Sequence, residues 1–226
     1  MPGRIVPLVT GECYHLINRG SDSRIIFTQS RDYERFLKIL RYYQYSGPKP
    51  SFSKFSAQDF LLWEPKPDAK LVDIVCYCLM PNHYHIVAKQ LKDNGISIFM
   101  SQLQNSYTKR FNTKYRRVGP LLQGAFKAVL VDSDEQLLHV ARYVHINPVV
   151  ARLAKDLSDY KWSSYEEYMN LRSGFCTKNQ VLDFFKSEQE YDVFLRDQIT
   201  YGQSLEILKH YHLSDEVYDA TFEVAG

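Results

Sequence analysis

LVDIVCYCLMPNHYHIVAK, residues 71–89, contains the clearest structural signal in this chain. Two apolar runs flank the Pro81-Asn82 dipeptide, which predicts two strands joined by a tight turn. Because side chains alternate between the faces of a strand, His83 and His85 should point the same way. Two imidazoles on one face can share a metal ion, although His-x-His also occurs on the solvated face of ordinary hairpins.

Length and composition indicate a soluble intracellular protein. The chain has 226 residues, of which 45% are hydrophobic, so it can build a large core. Its apolar runs are shorter than the roughly eighteen residues that a membrane helix needs, and no signal-peptide pattern is visible. The four cysteines show no framework typical of secreted scaffolds. We therefore expect a cytoplasmic location and no membrane partner.

Charge is distributed unevenly along the chain. Residues 1–174 contain 24 Lys or Arg and 16 Asp or Glu, whereas residues 175–226 contain 4 and 10. The positive excess of the first part could attract a polyanion, although an ordinary fluctuation of composition is the alternative.

The first half of the chain alternates between strand and helix signals. Residues 8–18 predict a strand, and Ser30 is a plausible N-cap for a helix that should end near Gly47-Pro48. Residues 46–70 contain four prolines and no clear period, so they predict an irregular connection. The hairpin follows this connection.

The second half repeats the alternation. A helix is predicted after Asn94-Gly95, and residues 124–131 predict a further strand. Ser133 should cap a helix that runs to Asn147, before Pro148. The order strand, helix, strand, strand, helix, strand, helix predicts an α+β fold, with helices packed on a ferredoxin-like antiparallel sheet.

Candidate phosphate contacts come from basic residues on these elements. The densest basic cluster lies at the end of the second predicted helix and comprises Lys109, Arg110, Lys114, Arg116 and Arg117. A solvated helix end explains such a cluster as well as nucleic acid does. By charge and placement, the candidate DNA contacts are Arg110, Arg116, Arg117, Lys127 and Arg142.

A chemical site can be assembled around the last predicted helix. Tyr143 and Asn147 lie one helical turn apart, so they share a side of that helix. A tyrosine hydroxyl can attack a phosphodiester when a divalent ion polarises the phosphate. His83, His85 and the Asn147 side-chain oxygen would form a three-ligand set with open positions for substrate oxygens.

Five segments carry a resemblance to a known family. They are PNHYHIV at 81–87, SYTKRFN at 106–112, GPLLQGAFKAVLVD at 119–132, ARYVHINPVVARL at 141–153 and YKWSSYEEY at 160–168. In this order they resemble the single-tyrosine HUH transposases, and within them the REP-associated tyrosine transposase-like proteins. The resemblance covers roughly residues 8–170.

The resemblance implies roles for residues that match the family's motifs. His83 and His85 would be metal ligands, Tyr143 the nucleophile, and Asn147 the residue that completes the metal site. The implied activity is strand transfer on single-stranded DNA through a 5′-phosphotyrosine link, with Mg²⁺ or Mn²⁺ and no nucleotide cofactor. The implied partner is an imperfect DNA hairpin with a single-stranded flank, and both a monomer and a homodimer remain open.

Two features depart from the family pattern. Tyr84, between the two histidines, is bulkier than the usual aliphatic residue and should face the core. The acidic residues 175–226 lie outside the resemblance. We therefore expect a nuclease domain at 1–174 and a helical extension at 175–226, with helical periods at 181–185, 191–199 and 205–211.

Three alternatives compete with this interpretation. Tyr107 is a rival nucleophile beside basic residues, but it lies on an apolar stripe and lacks an amide one turn later. Cys76 and Cys78 could form a structural zinc site with the histidines, although Cys-x-Cys in a strand wraps an ion poorly and buried thiols are the commoner case. A domesticated protein that binds hairpin DNA without turnover is the third. His15 could approach the site if its strand lies beside the hairpin, although a core histidine is the simpler interpretation.

Overall fold

A computed structural model describes residues 7–47, 52–54 and 56–204. Its sheet consists of β1 (Cys13–Arg19), β2 (Val72–Met80), β3 (His83–Gln90) and β4 (Lys127–Val131). All neighbouring strands are antiparallel, in the order β2-β3-β1-β4. The α+β fold and the hairpin turn at Pro81-Asn82 are confirmed.

Seven α-helices have both of their ends defined within the described residues, and a further helical segment begins at residue 199. The seven are α1 (Ser30–Tyr43), α2 (Ala57–Leu61), α3 (Gly95–Lys114), α4 (Asp134–Val150), α5 (Tyr165–Tyr168), α6 (Asn179–Leu182) and α7 (Glu188–Arg196). The predicted order is confirmed, with short helical pieces added in the proline-containing connection. No helix in the described ranges is long and apolar enough to cross a membrane.

Several predicted boundaries are wrong by a few residues. The first strand begins at Cys13 rather than residue 8, and α1 ends at Tyr43, before Gly47. The strand predicted from residue 124 begins at Lys127. Helix α4 continues through Pro148 to Val150, although proline has no N–H for the helix. Pro148 is buried, so its packing holds the last turn in place.

One face of the sheet packs against α1 and α3. Tyr84 and Ile86 on β3 point into this core together with Phe36 of α1 and Leu103 of α3, and none of the four is exposed. The Tyr84 hydroxyl accepts a hydrogen bond of 2.6 Å from Gln104. Tyr84 therefore faces the core as expected, and its hydroxyl has a partner there.

The other face packs against α4 and the segment that follows it. Cys76, Cys78 and Val87 share this second core with Ala141 and Val144 of α4. Fully buried side chains from residues 175–204 complete this core, and they are Val181, Tyr191 and Leu195. The helical segments predicted at 181–185 and 191–199 correspond to α6 and α7, with shorter bounds. The one predicted at 205–211 lies outside the described residues.

Candidate active site

The two hairpin histidines lie on the sheet face that α4 covers. His83 is the first residue of β3, and His85 follows on the same face. Their ring centroids are 4.9 Å apart and the rings are nearly perpendicular, at 87°. The alternation predicted from the sequence is therefore observed, and it places the imidazoles side by side beneath α4.

Burial keeps both imidazoles neutral. It lowers the pKa of His83 to about 4, and the charge of Arg19 contributes to the same shift. Burial also lowers the pKa of His85 well below its ordinary value, with smaller contributions from His83 and His15. A neutral imidazole has a ring nitrogen with a lone pair, which is the form that binds a metal ion.

Hydrogen bonds occupy one nitrogen of each ring. The Nδ1 of His83 lies 2.7 Å from the Asn82 side-chain oxygen, to which only a protonated nitrogen can donate. The Nδ1 of His85 lies 2.9 Å from Nε2 of His15. The Nε2 of His85 is buried and has no hydrogen-bond partner among the described residues. Buried polar atoms rarely stay unpaired, so this nitrogen fits a ligand position for a cation.

His15 lies directly behind this site on β1. Its ring stacks on His85 with 5.1 Å between centroids, and only 1% of the residue is exposed. Both sequence interpretations of His15 therefore hold: it is a core histidine, and it touches the site. When His85 donates from Nδ1 to His15, its Nε2 is left with a lone pair.

Helix α4 brings the predicted nucleophile to the imidazoles. The Tyr143 ring meets His85 edge-on, with 5.2 Å between centroids, and lies 6.2 Å from His15. Tyr143 is half-buried. Asn147 is also half-buried and follows one turn later on the same helix. The structure thus brings His83, His85 and Tyr143 together and places Asn147 on the adjoining turn.

His83 and His85 are the two strong metal ligands of this candidate site. In the described ranges, no group of three or more His, Cys, Asp or Glu side chains could hold a metal ion. A third protein ligand would thus have to be of another type, such as the Asn147 amide. The Cys₂His₂ zinc set is not present: Cys76 and Cys78 are fully buried thiols whose pKa values burial raises.

Tyr107 lies on the opposite face of the sheet from the histidines. It belongs to the core with α1, is only 2% exposed, and its hydroxyl donates to the carbonyl oxygen of Ile26. Burial raises its pKa. A buried, bonded phenol on the far face cannot reach the imidazoles, so the rival assignment is wrong.

Two cations lie on the face of the histidines. In the strand register Arg19 is the partner of His83, and its exposed side chain makes no ion pair among the described residues. Lys127 and His85 both pair with Ile17, from β4 and β3. Because β1 lies between β3 and β4, the backbones of Lys127 and His85 are two strand spacings apart, about 10 Å. Sequence reasoning missed Arg19, which only the register with His83 could reveal.

The other predicted DNA contacts lie away from the imidazoles. Arg110 is on α3, and Arg116 and Arg117 follow its end, across the sheet from α4. The Arg117 guanidinium donates to Asn112. The Arg142 guanidinium lies 4.2 Å from the centre of the Phe194 ring on α7 and donates a hydrogen bond to Nδ1 of His139 on its own helix.

Comparisons with known proteins bear on one segment of the chain and on its fold. Residues 64–147 match the family model described as "Transposase IS200 like". A solved structure of a REP-associated tyrosine transposase bound to a REP hairpin superposes with a TM-score of 0.51 and 15% identity, over 75% of this chain and 86% of that chain. This likeness shows the fold. No curated protein matches the chain. The predicted resemblance is confirmed, and the matched segment contains both histidines, Tyr143 and Asn147.

Proposed function

Because residues 64–147 match the IS200-like transposases, we propose that the chain is a metal-dependent transesterase acting on single-stranded DNA. It would cleave and rejoin DNA near hairpin structures through a 5′-phosphotyrosine intermediate. The observation that carries this proposal is the contact between the Tyr143 ring and His85, whose buried Nε2 has no partner in the described part of the chain.

The metal site in this proposal consists of His83, His85 and Asn147. When bound there, Mg²⁺ or Mn²⁺ would polarise the scissile phosphate and neutralise part of its charge. The two imidazoles suit this role because burial keeps them neutral and the bond to His15 orients His85. Both ions accept oxygen ligands such as an amide and substrate phosphate.

Tyr143 would perform the covalent step. A bond forms between its Oη and phosphorus while the bond from phosphorus to the 3′ oxygen breaks. The phenol loses one proton and the leaving 3′ oxygen gains one, so no external acid or base is consumed overall. One phosphodiester replaces another, which is why the intermediate needs no nucleotide to be rejoined.

The rest of the site would position the DNA. Ala141 and Val144 are fully buried, so they anchor the turn of α4 that presents Tyr143. Arg19, the strand partner of His83, and Lys127, in the same cross-strand row as His85, would contact phosphates of the bound strand. Arg142 is a weaker candidate for this role because its guanidinium packs on the Phe194 ring of α7.

We propose that the partner is single-stranded DNA that forms a hairpin, and that the protein binds it in the cytoplasm. The structural neighbour is a complex with a REP hairpin, which supports this partner by analogy of fold. Tyr143 and both imidazoles come from one chain, so the proposed chemistry does not need a second copy.

Covalent trapping tests the proposal. Purified protein, Mn²⁺ and an end-labelled hairpin DNA with a single-stranded flank should yield a labelled protein band that survives boiling in detergent. Tyr143→Phe should abolish the band and still bind the DNA, because only the nucleophilic oxygen is lost. Tyr107→Phe is the matched control and should keep the band.

Two results would contradict the assignment. A band that persists in Tyr143→Phe would show that another residue is the nucleophile. A wild-type protein that binds the hairpin tightly and forms no band with either Mg²⁺ or Mn²⁺ would favour the alternative, a domesticated hairpin-binding protein without turnover.

A further inference from the structure

A second charged surface lies on the far side of the sheet from Tyr143. A groove between α1 and α3 encloses a cavity of about 470 Å³. The side chains that define it, called the α1–α3 groove from here on, are Arg31, Arg35, Lys38, Arg110 and Lys114, together with the acids Asp32 and Glu34. The proposed chemistry on the α4 face uses none of them.

The acids of the groove do not neutralise its cations. One oxygen of Asp32 binds Lys114 at 2.6 Å, and the other accepts from Tyr115 at 2.7 Å, so this carboxylate is committed. Among the described residues, the remaining cations Arg31, Arg35, Lys38 and Arg110 form no ion pair, and Glu34 is the one acid left beside them. The groove therefore has a local excess of positive charge.

Arg35 lies between Arg31 and Lys38 on α1 and lines the groove. Its guanidinium lies 4.2 Å from the centre of the Phe52 ring, and its Nε is buried without a hydrogen-bond partner in the described part of the chain. Burial lowers the pKa of Arg35, and the neighbouring charge of Arg110 lowers it further. A buried donor beside a like charge is an unfavourable arrangement that a bound anion would relieve.

The spacing of the cations fits a row of anions. Arg31, Arg35 and Lys38 follow one another at helical spacing along one side of α1, which spans about 10 Å. That length exceeds a single phosphate and matches several phosphates along a nucleic-acid strand.

We propose that the α1–α3 groove binds the phosphate backbone of a DNA duplex, here the stem of the hairpin. The aromatic residues that line the groove, Tyr107 and Phe111, are buried at 2% and 5% exposure and offer no face on which unpaired bases could stack. The stem would thus lie against the helices on one side of the sheet while the flank reaches Tyr143 on the other. This inference rests on the proposed function for its ligand.

Salt-dependent binding tests the groove. The probe is a fluorescent hairpin DNA in EDTA, which removes any contribution of the metal site, with anisotropy measured between about 50 and 200 mM salt. Each phosphate contact contributes about 0.9 to the slope of log affinity against log salt. The variant Arg31→Gln/Arg35→Gln/Lys38→Gln should lower the slope by about 2 to 3. The variant Arg31→Gln/Lys38→Gln changes only exposed positions, so it keeps the fold, and it should lower the slope by about 2.

The matched control changes the same charge elsewhere. Arg152, Lys155 and Lys186 are exposed and lie on the α4 side of the sheet, and their triple change to Gln should leave the slope unaltered. An unstructured DNA strand of equal length should show no difference between the groove variant and the control, because it has no stem.

Three results of these binding measurements would overturn the proposal that the groove binds the stem. Equal slopes for groove and control variants overturn the proposal, as does an equal loss on the unstructured strand. Inorganic phosphate that competes far better than chloride at equal ionic strength would show a small-anion site and also overturn it. The covalent band is a separate readout: a groove effect in a protein whose wild type forms no band would support the groove and contradict the proposed cleavage.

Discussion

At the residue scale, the site depends on how His85 is held. Its ring touches His15 behind it, His83 beside it and Tyr143 in front. The hydrogen bond to His15 selects which nitrogen of His85 has the lone pair. Such second partners of metal-binding histidines commonly contribute 10-fold to 100-fold to metal affinity.

His15→Phe should therefore weaken metal binding. The phenyl ring keeps most of the stacking on His85 but cannot accept from its Nδ1, so the His85 ring is no longer held in the ligand tautomer. We expect the affinity for Mn²⁺, measured from the electron paramagnetic resonance signal of the unbound ion, to fall by about 10-fold to 100-fold.

Tyr14→Phe is the matched control for this change. Tyr14 is the adjacent residue of β1, and its side chain lies in the core with α1. The change removes the two hydrogen bonds of the Tyr14 hydroxyl, which accepts from Val9 N and donates to Pro7 O, and should leave the Mn²⁺ affinity unaltered. Unchanged affinity in a folded His15→Phe protein would show that His15 only fills space.

At the element scale, Asp32 ties α1 to α3. Its carboxylate belongs to the capping box of α1 and accepts from Lys114 and Tyr115 at the end of α3. Burial by itself raises the pKa of Asp32, but the hydrogen bonds from Lys114 and Tyr115 outweigh burial and hold the pKa below its ordinary value. The ionised form is therefore the one that joins the two helices.

The contribution of Asp32 to stability should depend on pH. An aspartate with a lowered folded-state pKa stabilises the fold above its unfolded pKa of about 3.9 and loses this effect as pH falls through the folded value. Asp32→Asn should lower the free energy of unfolding by about 1.5–3 kcal/mol at pH 7, as expected for a hydrogen bond to a charged group. The difference from wild type should shrink below about pH 4.

Urea unfolding at a series of pH values measures this effect. Glu34→Gln, a neighbouring exposed acid on α1 without an ion pair among the described residues, should differ from wild type by about 0.5 kcal/mol or less at every pH. A difference for Asp32→Asn that stays constant down to pH 3 would mean that the carboxylate charge does not join the helices.

At the scale of the whole molecule, the sheet is covered on both faces. One core contains α1 and α3, and the other contains α4 together with residues 175–204. The predicted boundary at residue 174 stays a prediction, but Val181, Tyr191 and Leu195 are as deeply buried as the residues of α4. Since these side chains close the second core, the segment and the sheet should unfold together.

Calorimetry should show one cooperative unfolding transition, and a destabilising change in residues 175–204 should shift all of it. Leu195→Ala should lower the free energy of unfolding by about 2–5 kcal/mol and move the whole transition to lower temperature, because it opens a cavity in the second core. Val193→Ser, on the exposed side of α7, should change it by about 0.5 kcal/mol or less. A second, separate transition that alone responds to Leu195→Ala would reveal an independent extension.

Local pattern in the sequence determined the element order, the hairpin and the shared face of His83 and His85, because alternation and helical spacing act between near neighbours. Motif order also pointed to Tyr143 and Asn147. Element ends were less predictable, since the continuation of α4 past Pro148 depends on burial that distant residues supply.

Which of these residues meet depends on the three-dimensional packing of the chain. Strand register placed His15 behind His85 and Arg19 beside His83, and the opposite faces of one sheet separated Tyr143 from Tyr107. Helix packing likewise gathered the cations of α1 and α3 into one groove. These contacts join residues far apart in the chain, so their existence depends on how the sheet pairs and which helix covers each face, and no local pattern carries that information.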